Sequence, residues 1–140
     1  MKTIILLIVF TGLFLQVTAP PPGHLIIPMS YPINPYEKLW EATCFVESSF
    51  NPFAIGDMHL EDYSYGVAQI RQIRLDDYNK RTGQRLLLQD VYDIQISKTI
   101  WLYYASKFHY QDIVGISRSW NGMGSSSILY AEKIISTIGK

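Results

Sequence analysis

Two Asn-Pro pairs constrain the fold of this chain more than any other feature. Asn34-Pro35 and Asn51-Pro52 bracket the segment YEKLWEATCFVESSF. Proline fixes φ, lacks an N–H and biases the residue before it away from helix. A helix in this segment must therefore start near the first pair and stop before the second. Tyr36, Trp40, Thr43, Cys44 and Glu47 recur at three- and four-residue steps, so they share one face. Glu47 occupies the next slot of a largely apolar stripe, on the last turn.

A carboxyl in that position is partly desolvated. Burial disfavours its charged form, and the C-terminal helix dipole opposes a negative charge there. Both effects raise its pKa. A carboxylic acid kept protonated near neutral pH is suited to general-acid work, and glycoside cleavage is the commonest reaction to use one. The same residues also allow a simpler reading, a solvated glutamate at the edge of the stripe paired with a nearby base.

The N-terminus reads as an export signal. Lys2 is a short basic region, Ile4 to Leu15 an apolar core broken only by Thr11-Gly12, and Val17-Thr18-Ala19 a small-residue cleavage site. Pro20-Pro21-Pro22 follows at once and suits a peptidase badly. The leader is thus either cut elsewhere or kept as a weak membrane anchor. Residues 20–35 hold six prolines in sixteen positions and read as a linker. The expected organisation is a signal over residues 1–19, a linker over 20–35 and one globular domain over 36–140. Export places that domain in the periplasm or cell envelope.

No segment of the domain alternates convincingly, so the expected fold is mostly α, a single domain of five to seven helices. Beyond the first helix, Val67 to Asn79 reads as partly helical, and Val91 to Tyr110 as the longest helix. Asp112 is expected to cap a helix through Trp120. A last helix begins at Ser125 to Ser127, with Ile128, Ala131, Ile134, Ile135 and Ile138 inward. Residues 53–65 read as a surface excursion.

Charge and composition narrow the function. Lys+Arg and Asp+Glu both number 12. Zero net charge argues against a nucleic-acid binder. Ten tyrosines suit a packed core or a sugar-facing groove. Cys44 is the only cysteine, so no internal disulfide can form. Histidines 24, 59 and 109 are scattered without ligand spacing, which implies neither metal nor cofactor. A thiol dyad of Cys44 with His59 or His109 is a rival reading, although a small apolar residue on the buried stripe explains Cys44 equally well.

Three ordered motifs add to this: Glu47-Ser48-Ser49-Phe50-Asn51-Pro52, Gly66-Val67-Ala68-Gln69-Ile70 and Ser119-Trp120-Asn121-Gly122. With Tyr130-Ala131-Glu132-Lys133-Ile134 they resemble the lytic transglycosylases that carry the soluble-type, goose-lysozyme-like catalytic domain. The resemblance spans residues 36 to 138. It implies a lysozyme-like domain acting on peptidoglycan glycan strands, with Glu47 the sole catalytic acid and base and a 1,6-anhydro product. It implies substrate-facing roles for Ser48, Gln69, Trp120, Asn121 and Tyr130, with Ser48 also orienting the helix end. A link to cell-envelope or secretion machinery follows from the same likeness. Val67-Ala68 departs from the usual Leu-Met, and Trp120 from the usual Tyr. The stretch between Pro52 and Gly66 is long and holds Asp57, Glu61 and Asp62. The plainer reading of these three is surface charges on a loop; alternatively one of them, as in goose-type lysozymes, positions water and makes the enzyme a hydrolase. A non-catalytic glycan-binding domain is the remaining alternative.

Overall fold

The computed structural model describes residues 34–139. The export signal and all but the last two residues of the linker lie outside them. The five α-helices are α1 (Glu37–Ser48), α2 (Gln72–Thr82), α3 (Ile94–Ala105), α4 (Ile113–Asn121) and α5 (Ser126–Ile138). The mostly α expectation holds.

Both Asn-Pro pairs act as the sequence requires. Asn34 receives the Glu37 N–H on its carbonyl and the Tyr36 N–H on Oδ1, which starts α1. At the other end Ser49 and Phe50 take left-handed backbone angles, φ 52° and 64°. Their N–H groups return to the carbonyls of Phe45 and Cys44 and satisfy the last turn. A large residue such as Phe50 seldom adopts this conformation, which costs of order 1 kcal/mol or more at a non-glycine position.

The expectation of no strands is corrected. Three two-residue strands, β1 (Ile55–Gly56), β2 (Ser64–Tyr65) and β3 (Ile70–Arg71), form an antiparallel sheet in the order β1-β2-β3. Ile55 pairs with Tyr65 and Tyr65 with Ile70. Alternation over two residues is too short to register as a pattern. The segment read as a surface excursion is thus the hairpin that forms one side of the groove described below.

Other boundaries shift for identifiable reasons. Helix α2 begins only at Gln72, whose N–H donates to Asp62 Oδ1 at 3.3 Å. The segment read as one long helix from Val91 divides at Asp93, which ends a short 3₁₀ helix (Leu88–Tyr92) and caps α3 by accepting from the N–H groups of Gln95 and Ile96. Asp112 caps α4 as expected, accepting from Gly115 N at 2.8 Å. The inward face of α5 carries Ser127, Tyr130, Ala131 and Ile134. Ile128 and Ile135, expected inward, are exposed. Isoleucines cover too much of this helix for hydrophobicity alone to fix its rotation.

The core joins all five helices with the sheet. Trp40 and Trp101 pack at 5.6 Å between α1 and α3, and Ile70, Leu75, Ile100 and Ile134 are fully buried. Gly66 sits where the hairpin meets the 3₁₀ helix. Its φ is +75°, and a Cβ there would lie 2.5 Å from the Val91 carbonyl oxygen. Gly66→Ala should therefore combine left-handed strain with a backbone clash, lowering stability by roughly 2–3 kcal/mol. Urea denaturation would measure this, and a loss under 1 kcal/mol would contradict the packing described.

Candidate active site

Glu47, next to last in α1, faces a groove of about 430 Å³. Burial pushes its carboxyl up to about 7, and the negative charge of Asp57 pushes the same way. Hydrogen bonding to Tyr130, the charge of Arg74 and the Trp120 indole oppose the rise without cancelling it. The Tyr130 hydroxyl donates to Glu47 Oε1 at 2.7 Å. Tyr130 is itself buried on α5, and burial raises its phenol above the ordinary value, so it remains a donor.

The motif residues meet here from separate elements. Gln69, Trp120 and Asn121 line the groove with Glu47. Gln69 adopts φ 53°, which lets its side chain fold back into the hairpin. There its amide accepts from Ser64 Oγ at 2.7 Å and donates to Gly66 O at 2.9 Å. Gly56 leaves the room, because a Cβ at that position would overlap Gln69 Oε1. Gln69 therefore holds the hairpin closed as well as facing the groove, and its amide bonds to the hairpin rather than to Glu47. The Trp120 indole N–H donates to Ala68 O at 3.2 Å. Ser48 is not in the groove lining: its hydroxyl donates to Val67 O at 2.8 Å and Cys44 O at 3.2 Å, tying the end of α1 to the second motif. Its place is that of an orienting residue.

Several groove residues escaped the sequence reading. Arg71 donates from Nη2 to Asp57 Oδ2 at 2.7 Å, and hydrogen bonding to it holds the Asp57 carboxyl below its usual range. Of the three loop carboxylates, Asp57 lines the groove, Asp62 caps α2, and Glu61 is exposed. Arg74, Asp77 and Tyr104 also line it. Arg74 and Asp77, three residues apart, share one face of α2, and Arg71 precedes them at the end of β3.

The thiol dyad finds no support. Cys44 is buried at 1% exposure, and burial pushes its thiol up to about 12, whereas His59 and His109 are exposed. Among the described residues no cluster of three metal-ligating side chains occurs. No described helix is long and apolar enough to cross a membrane. No protein-family model, curated protein or solved structure matches the chain.

A raised carboxyl pKa is also a stability statement. The protonated form suits the folded state, so its contribution is complete below pH 4.5, the value in an unfolded chain. It is lost as pH climbs through about 7. The difference amounts to on the order of 3 kcal/mol. Glu47→Gln, which cannot ionise, should match the parent near pH 4.5 and exceed its stability by up to that amount at pH 8. Denaturation at both pH values would measure the gap, and a gap independent of pH would refute the buried-acid description.

Proposed function

We propose that the chain is a peptidoglycan lytic transglycosylase of the cell envelope, with Glu47 as its acid and base. The observation that carries this reading is convergence. Glu47, Gln69 and Trp120-Asn121, from three motifs far apart in sequence, face one groove, and the acid among them is partly buried and raised to about 7. An acid with that affinity holds its proton at neutral pH and releases it without a large barrier.

The Glu47 carboxyl donates its proton to the oxygen of the β-1,4 bond between N-acetylmuramic acid and N-acetylglucosamine. The bond from muramic C1 to that oxygen breaks, and the electron pair leaves with the glucosamine 4-oxygen. The carbonyl oxygen of the substrate's own 2-acetamido group stabilises the cation at C1. The Glu47 carboxylate then takes the proton of the muramic C6 hydroxyl as that oxygen bonds to C1. The product is a 1,6-anhydro sugar, no water is consumed, and Glu47 ends protonated. Tyr130 holds the carboxyl in one orientation through both proton transfers. Asn121 offers the sugar an exposed amide, and Trp120, buried behind it, backs that wall rather than facing the sugar as the likeness implies.

Asp57 favours a second reading. It is a carboxylate in the same groove, kept ionised by Arg71. Such a group is suited to orienting a water, and the reaction would then be hydrolysis, as in goose-type lysozymes. Digesting purified peptidoglycan and weighing the muropeptides separates the readings. Anhydro products are expected, lost by at least about 10³-fold in Glu47→Gln. Reducing-end products that vanish in Asp57→Asn would establish hydrolysis. No release by the parent chain, with glycan still retained, would establish a binding domain. The rate should fall as pH rises through about 7, where Glu47 loses its proton. A rate still climbing at pH 8 would exclude Glu47 as the acid.

A further inference from the structure

Helix α4 ends without the usual closure. Gly122 follows Asn121 at φ 102°, and no backbone N–H at the cap returns to the last turn. The last carbonyls of a helix need donors from elsewhere in that case. Arg74 supplies them from α2: its Nη2 donates to Trp120 O at 2.9 Å and to Ser119 O at 3.4 Å. The guanidinium lies 4.4 Å from the Trp120 ring centroid and 4.8 Å from that of Tyr104. Tyr104 is anchored in turn, its hydroxyl donating to Asp77 Oδ2 at 2.8 Å. A planar cation packed against two aromatic rings that themselves meet edge-on at 6.2 Å, with its edge on two carbonyls, has little rotational freedom.

We infer that Arg74 is a positioning residue: as the C-terminal cap of α4 it fixes Trp120 and Asn121 as one wall of the groove, where the sugar beside the cleaved bond lies. That the wall meets a sugar rests on the function proposed above; the cap itself does not. Arg74 also puts a fixed positive charge near the acid. The groups that act on Glu47 are Tyr130 from α5, Trp120 from α4, Asp57 beyond β1 and Arg74 from α2, with Cys44 one turn back on α1. Arg74 is the cation in that set, and its charge favours the carboxylate.

Two substitutions separate cap from charge. Arg74→Met removes both, whereas Arg74→Lys keeps the charge and loses the planar fork and stacking. In the full chain, hydrogen exchange at the Trp120 and Asn121 amides, in the last turn of α4, should quicken in both variants. The Glu47 carboxyl titration, followed by carbon NMR, should move upward in Arg74→Met and stay in place in Arg74→Lys. Affinity for the β-1,4-linked N-acetylglucosamine tetramer should fall about tenfold in both, the loss expected for one displaced polar contact. Unchanged exchange at Trp120 and Asn121 in Arg74→Lys would overturn the inference, even where Arg74→Met fails to fold. A parent chain that binds no tetramer would refute the glycan reading alone, leaving exchange and the Glu47 titration to decide the role of Arg74.

Discussion

A carboxyl group held away from water on the last turn of α1 is the costly placement around which this domain is arranged. An uncompensated buried charge is too expensive to keep, so a group so placed either stays protonated or gathers donors. Glu47 does both in part. Tyr130 gives it one short hydrogen bond, the Arg74 charge and the Trp120 indole ease ionisation, and burial with Asp57 keeps the proton on. These opposing effects come from α2, α4, α5 and the hairpin. The acid is tuned by the tertiary fold rather than by its own helix.

Backbone strain is concentrated around the same carboxyl. The non-glycine residues with left-handed φ among those described are Ser49, Phe50, Asp57 and Gln69. The first two turn the chain directly after Glu47, and the last two line its groove. Each such conformation costs of order 1–3 kcal/mol and persists only where neighbours over-determine it. The neighbours can be named: the Ser48 bond to Val67, the Arg71 bonds to Asp57, and the Gln69 bonds inside the hairpin. A fold selected for stability alone would place glycine at some of these positions.

How much of this was legible in the sequence depends on the range of the interactions involved. The first helix, its stop and the anomaly of Glu47 followed from local rules: proline geometry and a three-to-four spacing. The caps at Asp112 and on α1 were legible for the same reason. The sheet was not, because two-residue strands carry no period and are held by pairing across the chain, Ile55 to Tyr65 to Ile70. The rotation of α5 was misread because Ile128 and Ile135 are as apolar as the residues that pack. Arg74 was invisible for a different reason. A cap supplied by another helix has no signature at the helix it closes, and the unclosed Asn121-Gly122 end was the nearest hint.

The groove also bears on which nucleophile completes the proposed reaction. A C6 hydroxyl belongs to the same sugar as the cation, and well-oriented intramolecular partners reach effective concentrations of about 10⁵ M or more, against about 55 M for bulk water. Water wins only if the protein both orients it and denies the hydroxyl its path to C1. Of the other groove carboxylates, Asp77 is held by Arg81 and Tyr104, and Asp57 is engaged twice by Arg71, from Nε and Nη2, both on Oδ2. Oδ1 keeps acceptor capacity, enough to hold one water yet not to restrain the sugar. In the proposed reaction an ionised Asp57 would also favour a cation at C1 whichever nucleophile arrives. Its presence alone would therefore assist bond cleavage without selecting water, and the intramolecular route would keep its concentration advantage of about three orders of magnitude or more.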